Sequence, residues 1–425
     1  MKRIVERAAR LEGFLKVPGD KSISHRALIL GAAGRGRQVI DGLSDAADVR
    51  TTAQALRAMG CFVESMPDGR TIVLPSRLLA SFDIDAGNSG TTARLLAGLA
   101  AGRATRCRID GDASLRRRPM GRVAEPLALM GARVVLADGG TLPATVEGGS
   151  LRGIEYALPV ASAQVKSALL IAGLFADGDT TVIEPVVTRD HTEIMLAAMG
   201  VELARDGNCV TVRGGSRPEG THVTIPGDIS SAAFFVAAAL IRPGSNVHLP
   251  FTGINPRRTG VLTVLRSMGA DITIEVSHEG CEAAADLTVR SSELRGVEMD
   301  DPALVASIID EIPVIAVAAT QAHGVTTIRG AGELRHKESD RIEATVSNLR
   351  AMGARIEAID DTITIEGPTP LRGAAVRSLG DHRIAMALTV AGLAATGRTE
   401  IDDAGAVEIS YPGFYNDLRT LIRQE

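Results

Sequence analysis

At 425 residues the chain is long enough for two to three domains of ordinary size, and its 45% hydrophobic and 23% charged residues are those of a globular protein. A formal net charge of −5 and only 3% aromatic residues supply neither the basic footprint nor the stacking surfaces of nucleic-acid binders. No stretch of about 18 apolar residues is free of a charge or glycine, so no membrane-spanning helix is expected.

Taken in chain order, a helix of small apolar residues recurs six times, each time behind a polar or charged cluster. The six read KSISHRALILGAA (21–33), GNSGTTARLLAGLAA (87–101), SAQVKSALLIAGLFA (162–176), GDISSAAFFVAAALI (227–241), DEIPVIAVAAT (310–320) and GDHRIAMALTVAGLAA (380–395). A helix N-terminus carries unpaired N–H groups and the positive end of the macrodipole, so such starts suit anions. A second element recurs between them. Met59–Gly60, Met130–Gly131, Met199–Gly200, Met268–Gly269 and Met352–Gly353 each read as the last turn of a helix closed by a left-handed glycine, with a strand-like stretch behind. DLRTLIRQ (417–424) closes the series without the glycine.

The repeating unit is about 70 residues, with two helices and several strands, longer than ordinary solenoid repeats. Three units per domain give two α/β domains, with crossings near GDKS (19–22) and IPGDISS (225–231). Cys61, Cys107, Cys209 and Cys281 lie far apart without a CxxC pair, and are expected to be reduced and mostly buried. The first residues, MKRIVERAARLEG, lack the apolar core of a signal peptide, which fits a cytoplasmic location.

Taken singly, the polar motifs say little. GNSGTT lacks the GxxxxGK[ST] of a P-loop, the eight histidines show no HExxH spacing, and no G-x-S-x-G elbow is present. Asp310–Glu311 fits a helix cap, Glu338 in KESDR fits a surface charge, and SLRRRPMGR fits a solvated basic run. Together and in order, VPGDKSISHRALIL, GNSGTTARLLAG, RRRPMGR, SAQVKSALLIAGL, TRDHTE, DEIP, ELRHKESDRI and GDHRIAMAL resemble the 5-enolpyruvylshikimate-3-phosphate (EPSP) synthase family across residues 16–414. SAQVKSA and TRDHTE resemble its class II branch.

The resemblance implies a two-domain inside-out α/β barrel of six repeats, helices within and sheets outside. Residues 1–19 plus 227–425 would form one domain and 20–226 the other, with the active site in the cleft between them. It implies transfer of enolpyruvyl from phosphoenolpyruvate to the 5-hydroxyl of shikimate 3-phosphate, in the pathway to aromatic amino acids. The implied enzyme is a monomer with no cofactor, no metal and no nucleic-acid or membrane partner. Two substrates that each carry a phosphate and a carboxylate bring roughly six negative charges together, so fixed cations are required. Arginine suits both groups because its fork bonds two oxygens at once.

Carried over by position, Lys21, Ser22, Arg26, Ser162, Ala163, Gln164, Arg189, Asp310 and Lys337 are implied for shikimate 3-phosphate. Lys21, Asn88, Gly90, Thr91, Arg118, Gln164, Arg341 and Arg383 are implied for phosphoenolpyruvate. Addition followed by elimination needs acid and base groups about the reacting carbon. Asp310 is the expected base toward the hydroxyl. Glu338 is the expected acid toward the methylene, with Lys21 as helper or rival. Arg94 and Lys166 fit either a phosphate contact or an internal ion pair, and Arg116 and Arg117 fit the surface.

Three positions stand out against the family. Ala163 stands where the better-known branch has a serine, Ile409 where it has a lysine, and Gly90 is kept where some herbicide-tolerant members carry alanine. Two other readings are a transferase acting on UDP-N-acetylglucosamine and an RNA-end-processing or non-catalytic relative of the fold. The first family places a cysteine in the loop matching GDASLRRRPMGR (111–122), which has none here. The second is disfavoured by the acidic charge and scarce aromatics.

Overall fold

The computed structural model describes residues 1–75, 80–103 and 106–424. The chain divides into two compact units, Met1–Pro18 with Pro226–Glu425, and Gly19–Ile225. Its path therefore leaves the first unit at Pro18, next to the GDKS crossing, and returns at Pro226.

In the Gly19–Ile225 unit the core is built on helices Lys21–Ala33, Gly90–Ala101 and Ala163–Gly173, nearly all of whose residues are buried. Helices apolar on every face belong inside a fold, and these carry Ala, Leu, Ile and Gly all round. Gly98 shows how close they pack. A Cβ there would lie 2.3 Å from the Ala168 carbonyl oxygen, so only glycine lets these two backbones touch.

Three four-stranded sheets cover these helices with one repeated plan. Ser81–Asp85 runs parallel to Arg106–Asp110, which pairs antiparallel with Thr141–Glu147, which pairs antiparallel with Arg133–Ala137. Glu155–Ala157, Thr180–Ile183, Cys209–Val212 and Leu203–Asp206 repeat that order. So do His222–Thr224, Gln38–Asp41, Thr71–Leu74 and Phe62–Ser65, where the first strand is supplied from the far end of the unit. Burial alternates along Thr141–Glu147, with Leu142, Ala144 and Val146 inward, as a sheet with one wet face requires.

The other unit follows the same plan around Ile229–Ile241, Ile312–Thr320 and His382–Ala394. All thirteen residues of Ile229–Ile241 are buried. Arg10–Phe14, Asn246–Gly253, Ala283–Arg290 and Asp271–Glu279 form one sheet, with Ile422–Arg423 added at its edge. Glu298–Met299, Gly324–Ile328, Thr362–Gly367 and Arg355–Ile359 form the second. In the third, Ala375–Arg377 and Arg398–Asp402 are joined by Arg3–Glu6. Each unit has one hydrophobic cluster with helices inside and sheets outside, the inside-out α/β plan expected from the sequence.

The five Met–Gly steps end helices as expected. Gly60, Gly131, Gly200, Gly269 and Gly353 all have φ between 79 and 110°, and each preceding methionine is buried. None of the four cysteines forms a disulfide; Cys61 and Cys107 are buried, while Cys209 and Cys281 are partly exposed. The expectation of mostly buried thiols holds for half of them: Cys107 takes an inward position of its strand, whereas Cys209 takes an outward one. Burial pushes the Cys107 thiol up to about 12, with the Asp83 charge adding to it. No single helix among the described residues is long and apolar enough to cross a membrane.

Candidate active site

Five of the six core helices begin under a side-chain cap. Asp20 accepts the Ile23 N–H, Ser89 that of Thr92, Ser162 that of Val165, Asp228 that of Ser230 and Asp381 that of Arg383. Three of these caps are carboxylates that offset the positive helix end. Positive charge at the helix starts is therefore carried mainly by side chains rather than by the helix dipole.

In the Gly19–Ile225 unit the three starts adjoin one another. Gln164 donates to Thr91 Oγ1 at 2.9 Å, and its Oε1 accepts from Arg94. Asn88 donates to Asp112 at 2.7 Å and accepts from Arg118 at 2.9 Å, fixing the 111–120 loop beside the GNSG turn. Lys21 pairs with Asp48 at 2.9 Å and stays partly exposed, as do Ser22, Thr91, Ser162, Ala163 and Arg189. Arg26 is buried and placed differently. Its guanidinium donates to Thr192 Oγ1, Ser167 Oγ and the Ser22 carbonyl, binding three helices together. Arg94, left open by the sequence, bonds Gln164 and the Pro119 carbonyl. Lys166 is internal, with both its partners buried carboxylates. Arg116 is exposed and pairs with Asp110, and Arg117 is exposed too.

A chain of hydroxyls runs beneath these starts. His25 Nδ1 meets Thr52 Oγ1 at 2.7 Å, Thr52 meets Thr92 at 2.6 Å, and Thr92 meets Ser89 Oγ at 2.7 Å. Burial, then the charges of Lys21 and Arg26, push the His25 pKa well below the usual value, with Asp20 opposing. Above about pH 6.5 the histidine is neutral in both folded and unfolded chains. Below it only the unfolded chain takes up the proton, so this contribution to stability is lost as pH falls toward the folded pKa. His25→Asn is therefore expected to lose about 1 kcal/mol less than the wild type between pH 7.5 and 5.5, measured by urea denaturation. Equal losses would show that His25 does not titrate this way.

In the other unit a single arginine organises the chemistry. Arg341 is 1% exposed. Its Nε bonds Asp381 at 2.8 Å, Nη1 bonds Asp310 at 3.1 Å and Nη2 bonds Glu338 at 2.5 Å. Burial opposes its charge, but Asp381, Glu338 and Asp310 outweigh it and hold its pKa above the ordinary arginine value. Lys337 lies 3.3 Å from Asp310 and remains partly exposed. Arg383 donates to the Asp310 carbonyl and to Glu311, and Glu311 accepts from Ser230, itself bonded by Arg258. Asp310 is not a cap: Glu311 holds the N-cap position of Ile312–Thr320 and makes no capping bond. Glu338 is not a free surface charge either.

Asp48, Asp228 and Arg258, which orient the named groups, are not singled out from sequence, while Glu311 and Asp381 read there only as parts of helix starts. The signal was present, since Asp228 and Asp381 stand in GDIS and GDHR just ahead of apolar helices, where a cap belongs. Among the described residues no group of three or more His, Cys, Asp or Glu is arranged to hold a metal ion.

Comparison with known proteins adds to this geometry. A family model described as EPSP synthase (3-phosphoshikimate 1-carboxyvinyltransferase) matches residues 5–418. A 3-phosphoshikimate 1-carboxyvinyltransferase of Geobacillus kaustophilus (strain HTA426) is 50% identical over 421 residues, 97% of this chain and 98% of that one. Its counterpart in Desulforudis audaxviator (strain MP104C) is 51% identical over the same length, with the same shares covered. Among solved structures, EPSP synthase from Acinetobacter baumannii superposes with a TM-score of 0.88 at 40% identity, over 100% of this chain and 98% of that one. The enolpyruvyl transferase NikO from Streptomyces tendae shares the fold, with a TM-score of 0.81 at 20% identity over 98% and 96% of the two chains.

Proposed function

The chain belongs to the EPSP synthase family, and from that membership we propose how its two charged clusters divide the work. The chain transfers the enolpyruvyl group of phosphoenolpyruvate to the 5-hydroxyl of shikimate 3-phosphate and releases phosphate, by addition and elimination through a tetrahedral intermediate. This is a step of aromatic amino-acid biosynthesis. The residue roles, a monomeric state and a cytoplasmic location free of nucleic-acid and membrane partners are our proposals.

Ser22, Arg26, Ser162, Ala163, Gln164, Arg189 and Lys337 hold shikimate 3-phosphate, with Ala163 contributing only its backbone. Asn88, Gly90, Thr91, Arg118, Gln164, Arg341 and Arg383 hold phosphoenolpyruvate, and Lys21 serves both. Asp310 takes the proton of the 5-hydroxyl as its oxygen attacks the donor's substituted carbon. Glu338 delivers a proton to the methylene, and removal of a proton from the resulting methyl accompanies phosphate departure. No metal or cofactor enters these steps.

The observation that carries this assignment is the Arg341 fork, which binds Asp310 and Glu338 at once. A donor carboxylate drawn to Arg341 competes with Glu338 for the same guanidinium. Stripped of that cation and set among substrate anions, Glu338 favours its protonated form, which is the form an acid needs. Phosphate release from phosphoenolpyruvate tests the reading. It should require shikimate 3-phosphate and not occur with UDP-N-acetylglucosamine. Release with the sugar nucleotide alone would overturn it.

Gly90 offers a separate check. A Cβ there would sit 2.9 Å from Arg94 Nη1 and 3.3 Å from Arg118 Nη1, both ends of flexible side chains. Gly90→Ala should therefore spare the fold but displace the two guanidiniums. We expect the KM for phosphoenolpyruvate to rise on the order of tenfold, the loss of one charged hydrogen bond. An unchanged KM would remove Gly90 from the donor site.

A further inference from the structure

The Gly19–Ile225 unit buries three charges that no step above uses. The Lys166 ammonium is 0% exposed and lies 2.9 Å from Glu184 Oε2 and 2.7 Å from Glu193 Oε1, and each glutamate side chain is 1% exposed. Lys166 stands in the first turn of Ala163–Gly173, where the helix dipole disfavours a cation. Two carboxylates against one ammonium leave an excess negative charge within the set, and the exposed Arg205 lies 3.9 Å from Glu193. Burying such a set is costly, and well-packed apolar residues would serve stability as well or better.

What the set holds suggests why it is there. Glu184 follows strand Thr180–Ile183, and Glu193 lies in the first turn of helix His191–Ala198. They stand at the two ends of the 184–193 segment, which carries Arg189, so one ammonium closes that segment at both ends. The second oxygen of Glu184 accepts the Thr188 N–H at 3.0 Å and the Thr188 hydroxyl, immediately before Arg189. Arg205 bonds Asp190 at 3.4 Å on the other side of Arg189. Lys166 itself is two residues past Gln164. The ammonium thus ties the Ser162–Ala163–Gln164 helix start to the backbone on which Arg189 is mounted.

We propose that Lys166, Glu184 and Glu193 are positioning residues for acceptor binding, fixing Arg189 relative to residues 162–164. The proposal rests on the assignment of Arg189 to shikimate 3-phosphate. It concerns binding and not proton transfer, since none of the three reaches solvent or the reacting atoms.

The test is steady-state kinetics of the full-length enzyme. The Lys166→Met variant and the charge-neutral triple variant Lys166→Met/Glu184→Gln/Glu193→Gln are assayed with and without Arg189→Ala. The triple variant neutralises all three members of the set, so it should fold even where Lys166→Met alone, with two stranded carboxylates, does not. The expected result for the triple variant is a KM for shikimate 3-phosphate raised tenfold or more. The KM for phosphoenolpyruvate and kcat should stay within about threefold. On the Arg189→Ala background the substitutions should add less than twofold, because their effect passes through Arg189. An unchanged acceptor KM, an equal rise in both KM values, or full additivity with Arg189→Ala would overturn the proposal. An Arg189→Ala variant with the wild-type acceptor KM would instead overturn the assignment of Arg189. A wild-type enzyme inactive on shikimate 3-phosphate would overturn the functional reading itself.

Discussion

Asp310→Ala is expected to fold normally and to lose on the order of 10³-fold in kcat, within the range that general base catalysis supplies. The argument for folding is local. Asp310 shares Arg341 with Glu338 and Asp381, and without it the arginine still has two carboxylates. Lys337, already partly exposed, passes to solvent. The argument for activity is that Asp310 lies outside every cap, stays partly exposed and touches the arginine fork, a combination it shares with Glu338, the residue we assign as the acid. Asp310→Asn separates shape from basicity, since it keeps the first and removes the second, so it should fall nearly as far as alanine. The measurement is phosphate release at saturating substrates in both variants. A kcat within tenfold of wild type in Asp310→Asn would remove Asp310 from the role of base.

Arg341→Met should do more damage to the fold than any other single change at the site. The wild-type guanidinium is almost wholly buried and compensates three carboxylates, of which Asp381 is itself 0% exposed and caps His382–Ala394. Removing one partner of a buried ionic set leaves charge without compensation, at a cost of about 3–5 kcal/mol. The sign of the pH dependence identifies the cause. The stranded carboxylates repel one another and are relieved by taking up protons, so the variant's deficit against the wild type should shrink as pH falls from 7 to 5. Both chains keep His25, so its contribution cancels from that difference. Urea denaturation at the two pH values decides the matter, and a deficit independent of pH would mean that packing, not charge, is what Arg341 supplies. Activity should fall with stability, because Arg341→Met also removes the guanidinium that we assign to the donor carboxylate.

Much of this was legible in the chain because the same physical demand is met six times. A helix apolar on all faces must be buried, a glycine after methionine must end a helix, and both signals recur at a regular interval. The strand plan was not legible. Nothing in the short segments around residues 133–147 says that the third strand lies outside the fourth, because alternation marks the buried face of a strand and not its neighbour. Still less could Arg3–Glu6 be assigned to the sheet of Arg398–Asp402. At the site, the motifs named Asp310, Glu338 and Arg341, but not that one guanidinium joins them, since contacts between a helix start and a loop some thirty residues away leave no mark in spacing. Lys166 and Arg94 looked alike from sequence, each a cation in the first turns of a core helix. Only burial separates them: Lys166 is sealed among carboxylates, whereas Arg94 reaches Gln164 at the helix start.

The pairing of Arg3–Glu6 with Arg398–Asp402, and of Arg10–Phe14 with Ile422–Arg423, bears on how the molecule is made. On the ribosome Arg10–Phe14 emerges with no partner until Asn246–Gly253 is made, and Arg3–Glu6 with none until Arg398–Asp402 is made. The Gly19–Ile225 segment has no such debt, because its closing strand, His222–Thr224, arrives within its own length. The inserted half is therefore the first that can finish, and the half holding both ends of the chain is the last. During that interval the nascent polypeptide carries two unpaired strand edges, a hazard for association with other chains. The exposed charges of Glu6, Arg10 and Glu12 on those strands are suited to limiting it.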